Sequence, residues 1–340
     1  MINVELIDRH IARAPTIIEE TESDCRNIVR KYTFFSQNEI RISDIVRNIP
    51  YYFLFFSVLR EYKFVKIGQM SNIVADKFDS VTNDRFLLCT YYNRPTISFN
   101  DFLYGLPTPK LVLKHVFETY SYLLSSLTKL NESNVCFFNL SAETIRIREN
   151  LTPILTDFDK SLSIDSLDEQ YISQFIKNTR DYTYKPIEVH ILFYLICKNE
   201  SIITYTLANT ICSNYMKHLS VLRFFSQEQV SLYETKTMQF IEQFINRRKS
   251  DIIIELLYSV NTWDNYSLSV LYLHLLGTFQ NVFNKSTVMN KMIGMLFKNI
   301  GPGRRSLIST TREKDEILSE WTELELDADR MNDLRTQLSY

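Results

Sequence analysis

Two short motifs in the middle of the chain combine acidic and amide side chains at a spacing suited to catalysis. The first places Asn139 and Thr144 in an apolar stretch, and the second, Asp157-Phe158-Asp159, begins 18 positions after Asn139. Two carboxylates on one loop can supply the hard oxygen ligands that magnesium prefers. Alternatively, Asp157 caps or braces its own loop while Asp159 faces solvent. The motifs therefore predict either a cation site or a loop held by its own polar groups.

The spacing and apolar framing of these motifs resemble the catalytic loop and the metal-binding loop of protein kinases, H-R-D-L-x-x-x-N and D-F-G. On that pattern Phe137 and Phe138 stand for the His and the Arg. Asn139 stands for the base Asp, and Thr144 stands for the metal-holding Asn. Only the first Asp of D-F-G is kept, as Asp157. The resemblance implies a kinase fold whose catalytic groups have been replaced.

Further matches follow in the order expected of a protein kinase, and together they cover roughly residues 25–298. Residues 184–188, Tyr-Lys-Pro-Ile-Glu, resemble the A-P-E motif that closes the activation segment, with Glu188 as its acid. Residues 263–270 resemble a helix of the large lobe. In that helix, Asp264 would be a buried acid that hydrogen-bonds the catalytic-loop backbone. The resemblance thus assigns structural roles to Glu188 and Asp264.

Phosphoryl transfer needs a glycine-rich loop, a strand Lys, metal-holding side chains and an Asp base. The first glycine is Gly68, so no glycine-rich loop precedes the early strands. Lys31 is the candidate for the strand Lys, but Glu39 follows closely and is expected before the helix, which favours a surface Lys. Asn139 cannot take up a proton, and losing a general base costs about 10²–10⁴ in rate. We therefore predict no kinase activity and no firmly bound cofactor, with weak binding of ATP and magnesium left open.

The composition and two short arrangements narrow the resemblance. The chain has 23 Phe and 20 Tyr against 6 Gly and 8 Pro, which is typical of AT-rich coding. The arrangements P-I-E-V-H and W-D-N-Y-S-L-S resemble those of divergent kinase-like proteins from large nucleocytoplasmic DNA viruses. That resemblance implies viral structural proteins as partners and a location in the virion or the host cytoplasm.

The periodicities between the motifs predict an α+β, bilobal fold. Residues 1–24 read as a loosely ordered segment, and residues 25–92 read as a small strand-rich lobe. In this lobe residues 42–49 have helical spacing, whereas residues 26–35 alternate as a strand does. The apolar stretch 51–59 is expected to be a buried strand or helix turn, and it is too short to cross a membrane.

The second half of the pattern is helical. Residues 93–300 are predicted to form the larger lobe, with a long amphipathic helix over residues 111–130 and a helical insertion at about 191–260. Residues 301–340 read as a tether followed by an amphipathic helix. That helix either packs on the body or binds a partner.

Charge and cysteine content exclude several classes of function. The 38 basic and 40 acidic residues give a net charge of −2, which excludes a chain-wide basic field for nucleic acid. The basic runs 247–249 and 304–305 read as solvated helix ends. The five cysteines form no CxxC pair, which favours a reducing compartment and argues against zinc sites and disulfides. The N-terminus lacks the apolar core of a signal peptide.

Three functions compete at this stage. The first is a catalytically inactive kinase-like scaffold that binds protein partners. The second is a divergent serine/threonine kinase that uses Asp157, with Asp159, to hold metal. The third is a helical nucleic-acid-binding protein in which residues 247–249 and 301–305 contact phosphates.

Overall fold

The computed structural model describes residues 17–22, 25–65, 85–283, 287–304 and 306–319. Within these residues the chain is an α+β protein, with antiparallel strands mainly in the first third and helices through most of the remainder. The predicted α+β class is confirmed at this level. No helix among the described residues is long and apolar enough to cross a membrane.

The chain divides into two compact units. Unit 1 contains the described residues of Met1–Ile97 together with Thr144–Ser161, and unit 2 contains Ser98–Glu143 and the described residues of Leu162–Tyr340. Sequence patterns had assigned residues 144–161 to the helical part of the chain. They belong to unit 1 because Leu155 exchanges backbone hydrogen bonds with residues 55 and 57, at 3.0 and 2.9 Å.

The described residues of unit 1 include an antiparallel sheet of four strands, a second sheet of three strands and an α-helix. The strands of the first sheet are β1 (Ile17–Glu22), β2 (Cys25–Lys31), β3 (Glu61–Val65) and β4 (Phe86–Tyr92). They lie in the order β1-β2-β4-β3. The second sheet contains β5 (Thr96–Ser98), β7 (Ile145–Arg148) and β8 (Pro153–Leu155).

The helix of unit 1, α1 (Phe34–Arg47), begins earlier than its spacing predicted. The Thr33 hydroxyl caps it by accepting a hydrogen bond from the amide of Ser36, and the Thr33 amide donates to the Ser36 hydroxyl. The strand predicted over residues 26–35 therefore ends at Lys31. As a consequence, Glu39 lies inside the helix, and the expectation that it precedes the helix is wrong.

Two other predictions for this region need correction. Residues 17–22 were expected to be loosely ordered, but they pair with β2 over the register Ile17 to Val29 through Glu22 to Cys25. The apolar stretch 51–59 was expected to be buried, yet Tyr51 is 70% exposed. Only its second part, with Phe56, Val58 and Leu59, enters the core.

Unit 2 is mostly helical, with one small antiparallel pair, β6 (Val135–Cys136) and β9 (Leu162–Ser163). Its described helices are α2 (Phe99–Tyr104), α3 (Pro109–Glu132), α4 (Glu169–Asn178), α5 (Ile187–Cys197), α6 (Tyr205–His218), α7 (Gln227–Glu242), α8 (Lys249–Leu257), α9 (Trp263–Phe283), α10 (Thr287–Asn299) and α11 (Leu307–Ser319). The long helix predicted over residues 111–130 is confirmed as α3, which Thr108 caps. The predicted helical character of residues 191–260 is also confirmed.

The C-terminal prediction is answered only in part. Helix α11 packs against α3 and α10 and buries Leu307, Thr310 and Ile317. Residues 307–319 therefore pack on the body of unit 2 and do not form a tether. The rest of the predicted amphipathic helix, residues 320–340, lies outside the described residues.

Candidate functional site

A buried carboxylate of unit 2 holds the loop that follows β6. Asp264, in the first turn of α9, is 1% exposed. It accepts hydrogen bonds from the backbone amides of Phe137 at 2.7 Å and Phe138 at 2.8 Å. The resemblance implies this contact for Asp264. Because this one carboxylate binds two consecutive peptide groups, Asp264 fixes the backbone of the loop at residues 137 and 138.

Phe138 adopts a strained backbone conformation that three partners support. Its φ is 59°, in the left-handed region that a bulky residue rarely enters. The buried ammonium of Lys185 donates to the Phe138 carbonyl and lies 3.9 Å from the centre of its ring. The rings of Trp263 and Phe175 pack nearby, at 5.8 and 6.3 Å between centroids. Strain of this kind, about 1–3 kcal/mol, persists only where the surroundings impose it.

Titration properties mark this loop as structural. Burial raises the pKa of Asp264, although the amides of Phe137 and Phe138, the Cys136 thiol and the Lys185 charge oppose that shift. Burial also raises the pKa of Cys136 well above its ordinary value, and the charge of Asp264 adds to the effect. Because the thiolate is the nucleophilic form, this raised pKa disfavours Cys136 as a nucleophile.

A second buried carboxylate, Glu188, forms an ion pair in the same unit. Arg304 Nη2 donates to Glu188 Oε1 at 2.6 Å, and the two side chains are 1% and 2% exposed. The Ser259 hydroxyl donates to the same oxygen at 3.3 Å, and Arg304 Nε donates to the Thr262 carbonyl at 3.3 Å. The expectation of a solvated helix end at residues 304–305 is therefore wrong for Arg304. Arg305 lies outside the described residues.

The acidic motif of unit 1 forms a single helical turn after β8. Asp157 has a left-handed φ of 64° and an exposed side chain that makes no capping hydrogen bond to the turn Phe158–Lys160. The interpretation of Asp157 as a capping residue is therefore wrong. Asp159 is half-buried and does not simply face solvent.

Backbone and aromatic contacts fasten this turn to the rest of unit 1. The side-chain amide of Asn38, on α1, donates to the carbonyls of Asp159 at 2.9 Å and Ser161 at 2.8 Å. Phe158 is fully buried, with its ring centroid 5.8 Å from that of Phe56. The turn is thus positioned without using the Asp157 carboxylate, which stays at the surface.

Close to this turn, β2, α1 and β4 bring together a cluster of polar side chains. Arg30 pairs with Glu39, and its guanidinium also donates to the Tyr91 hydroxyl and, at 3.3 Å, to the Cys89 sulfur. The Tyr91 hydroxyl donates to Glu39 at 2.7 Å. The side chains of Arg30 and Glu39 are 19% and 5% exposed, so the cluster is largely shielded from water.

Electrostatics couple this cluster to the acidic turn. Burial raises the pKa of Glu39, the charge of Arg30 opposes the shift, and the charges of Asp159 and Asp157 add to it. Burial acts to lower the pKa of Arg30, but Glu39, Tyr91 and Cys89 outweigh it, and the pKa lies above its ordinary value. Arg30 is therefore a permanent cation paired with Glu39, whose own pKa is also affected by the charges of Asp159 and Asp157.

Sequence reasoning chose Lys31 and missed Arg30. Successive side chains of a strand point to opposite faces, so Lys31 lies on the other face of β2 from Arg30. Lys31 is half-buried there, while Glu39 reaches Arg30 from α1. The helix cap at Thr33 was the signal that would have placed Glu39 in the helix, and strand alternation would then have selected Arg30.

The remaining predicted site residues lie in different units. Asn139 is half-buried in unit 2, and its amide donates to the Phe137 carbonyl at 2.6 Å. Thr144 is buried in unit 1, where its carbonyl accepts from the amide and the hydroxyl of Thr156 at 2.9 and 3.3 Å. Neither residue carries a negative charge, so neither supplies a base or a carboxylate ligand.

Comparisons with known proteins do not assign the chain to a family. No model of a known protein family matches the chain, and no curated protein matches it significantly. Among the described residues, no group of three or more His, Cys, Asp or Glu has the arrangement of a metal site. In unit 1, the exposed Asp157 and the half-buried Asp159 are the carboxylates of the acidic turn that a cation would contact. That fit is limited to one or two ligands, fewer than a protein cation site ordinarily uses.

Proposed function

We propose that the chain is a protein-kinase-like protein that has lost phosphoryl transfer and acts as a scaffold for protein partners. The observation that carries the proposal is the buried Asp264, which accepts from the amides of Phe137 and Phe138. The resemblance expects such an acid behind a catalytic loop. Yet the next residue of that loop is Asn139, where a kinase has its base.

The side chains available for phosphate chemistry support loss of activity. In kinases a strand Lys pairs with a helix Glu and also contacts the nucleotide phosphates. Arg30 and Glu39 make a comparable strand-to-helix pair, but Tyr91 and Cys89 occupy further positions around the guanidinium. Arg and Lys are not interchangeable at such a site, because the guanidinium is planar and fixed by its donors.

The loop also needs no modification to be held in place. In active kinases, phosphorylation of the activation loop orders it through new contacts with Arg side chains. In this chain Phe138 replaces the motif Arg, and Lys185 binds the Phe138 carbonyl and ring directly. A segment held by internal contacts suits a constitutive binding role. The composition supports a viral source, and viral structural proteins are the partners we propose.

A calorimetric titration of the full chain with ATP, in the presence and absence of magnesium, tests the proposal. We expect magnesium to leave the affinity unchanged, because Asn139 and Thr144 carry no charge for a second metal position. The matched control is Asp157→Asn, which keeps the size of the exposed side chain. Tight, magnesium-dependent binding that Asp157→Asn abolishes would contradict the proposal.

A divergent active kinase is the second candidate, and one observation favours it. The Arg30–Glu39 pair lies within electrostatic reach of Asp157 and Asp159, so a cation, an ion pair and a nucleotide phosphate are all chemically compatible there. Arg30→Lys separates the two candidates. A nucleotide site that still works should gain affinity for ATP when the ordinary Lys is restored, whereas a scaffold should not respond.

The nucleic-acid reading has less support from the described residues. Each basic side chain of the run 247–249 has an acidic partner: Arg247 with Glu255 at 2.6 Å, Arg248 with Asp251 at 3.0 Å, and Lys249 with Glu169 at 3.4 Å. Arg304 is buried against Glu188. These pairs compete with phosphate contacts.

A further inference from the structure

A surface of unit 1 combines three exposed aromatic rings with three guanidinium groups, of which that of Arg94 is exposed and those of Arg60 and Arg148 belong to half-buried residues. We call it the Arg–aromatic surface, and it consists of Tyr51, Phe53, Arg60, Tyr92, Arg94 and Arg148. Tyr51 is 70% exposed, and Phe53 and Tyr92 are each 40% exposed. Exposed aromatic residues and Arg are the types most enriched at the energetic centres of protein interfaces.

Direct contacts make the surface continuous. Arg94 lies 5.8 Å from the ring centre of Phe53 and 5.4 Å from that of Tyr92, and Arg60 lies 5.0 Å from the Tyr92 ring. Tyr51 meets Phe53 edge to face, with centroids 6.4 Å apart. Stacking on rings fixes guanidinium planes at the surface, so less side-chain entropy is lost when a ligand binds.

Two of the guanidinium groups converge on one backbone atom. Arg94 Nη1 donates to the Phe53 carbonyl at 3.3 Å, and Arg148 also donates to that carbonyl. The contacts that the structure gives Arg94 are with Phe53 and Tyr92, so no described carboxylate neutralises it. Arg60 keeps an exposed pair with Glu61 at 3.4 Å. Arg94 therefore contributes positive charge beside the rings of Phe53 and Tyr92.

Backbone strain flanks the same surface. Tyr51 and Leu151 have φ values of 56° and 65°, and both side chains are exposed. Leu151 belongs to the turn between β7 and β8 that follows Arg148, and its amide donates to the Arg148 carbonyl at 2.9 Å. Left-handed backbone at bulky residues is uncommon, and it is concentrated at functional sites.

We propose that the Arg–aromatic surface binds an acidic peptide segment of a partner protein. A carboxylate of the segment pairs with the exposed Arg94, and an apolar side chain next to it packs on Phe53 and Tyr92. Arg suits this role because its planar fork donates two parallel hydrogen bonds to a carboxylate while its face stacks on a ring. This inference deepens the proposed scaffold role and rests on it, since it names the chemistry of the partner.

Single-stranded nucleic acid is the competing occupant, because bases also stack on exposed rings. The charge distribution favours the peptide. A nucleic-acid groove follows the backbone with a row of separate cations, whereas Arg94 and Arg148 converge on one carbonyl. The net charge of the whole chain is −2, which further disfavours a polyanion.

Selection of random displayed peptides on the immobilised full chain, followed by fluorescence polarisation of the enriched peptides, tests the inference. We expect enriched sequences with clustered Asp or Glu next to an apolar residue. Arg94→Glu should weaken their binding by at least about tenfold, and replacing the peptide's acids by amides should do the same. The matched control, Arg85→Glu, makes the same charge change at another exposed position of unit 1 and should have no effect.

Tyr51→Ala provides a second variant that removes an exposed ring without altering charge, and circular dichroism verifies that each variant is folded. Enrichment of peptides without acids, no enrichment at all, or equal binding to Arg94→Glu overturns the inference. Displacement of the peptides by oligouridine, with tighter binding of oligouridine than of any peptide, assigns the surface to nucleic acid instead. Kinase activity would overturn the proposed function, but it would leave a peptide site on this surface intact.

Discussion

Two Arg–Glu pairs, one in each unit, differ in how completely the protein encloses them. In unit 2, the side chains of Arg304 and Glu188 are 1% and 2% exposed, and the Ser259 hydroxyl and the Thr262 carbonyl add one hydrogen bond each to the pair. In unit 1, the Arg30 side chain is 19% exposed and the charges of Asp157 and Asp159 act on its partner Glu39.

This difference in exposure separates a structural ion pair from an ion pair whose charges are affected by nearby acids. The pair in unit 2 is enclosed by the protein, so its role is to hold the first turn of α5 against the chain before α11. The pair in unit 1 lies beside an exposed acid, and its charge balance can respond to a cation. Under the proposed function, unit 2 keeps the structural framework and unit 1 keeps the remaining polar groups of the site.

The largest expected effect is on the enclosed pair. Arg304→Met should lower the free energy of unfolding by about 3–5 kcal/mol, because it leaves Glu188 buried and uncompensated. Urea denaturation followed by circular dichroism measures the change. The control is the double variant Arg304→Met with Glu188→Leu, which should recover most of the loss. A single variant as stable as the native chain would contradict enclosure of this pair.

Next in size is a pH effect within unit 2. Burial lowers the pKa of His190 from 6.5 to about 3, and the charge of the facing His218 adds to the shift. The unfolded chain thus binds more protons between these pH values, so stability is full above pH 6.5 and falls as pH decreases toward about 3. The expected slope approaches about 1.4 kcal/mol per pH unit.

His190→Gln is the variant that isolates this pH effect. The difference in unfolding free energy between the native chain and the variant should show this slope, because the Gln amide does not titrate. Unfolding free energies measured in urea at several pH values supply the comparison. Identical pH dependence in both proteins would show that the imidazole is not held neutral by burial.

Removing a charge from the Arg30–Glu39 pair in unit 1 should lower the stability less than removing Arg304 does. Glu39→Gln keeps the size of the side chain and removes its charge, and we expect a loss of about 1–3 kcal/mol, because Arg30 retains its contacts with Tyr91 and Cys89. Magnesium should stabilise the native chain more than this variant if the acidic turn attracts a cation. A thermal shift series with and without magnesium measures both effects. A loss as large as that of Arg304→Met would remove the contrast between the units.

The smallest effect is expected at the surface. Arg247 and Glu255 form an exposed pair at 2.6 Å, with side chains 37% and 44% exposed. Exposed pairs are screened by water and salt, so Arg247→Ala should leave the melting temperature unchanged within error. A clear decrease in the melting temperature would mean that the exposure of an ion pair does not determine its contribution to the stability of this protein.

Local patterns in the sequence were enough for some parts of this structure. The apolar spacing between residues 111 and 130 marked α3, because helix periodicity depends on nearby residues alone. Asp264 was identified by its motif, not by its position, and its two amide donors lie more than 120 residues away. The motif supplied contacts that periodicity cannot supply.

Other parts depended on long-range pairing that local patterns do not encode. Arg304 follows Gly301-Pro302-Gly303, and the sequence predicted a solvated helix end there. In the structure Arg304 is buried and pairs with Glu188, which lies 116 positions earlier. Arg30 was overlooked because Lys31 matched the expected residue type, whereas the alternation of β2 decides which side chain reaches α1. The exposed rings at Tyr51 and Phe53 looked like core residues, because composition does not reveal which face of a turn meets solvent.

The central claim is that the framework of a kinase persists without its chemistry, and transfer of the terminal phosphate of ATP tests it most directly. The full chain and Asp157→Ala should be incubated with labelled ATP, magnesium and a mixture of Ser/Thr peptides, and labelled peptide and free phosphate measured. We expect no transfer above the protein-free rate from either protein. Transfer by the native chain that Asp157→Ala abolishes would contradict the account.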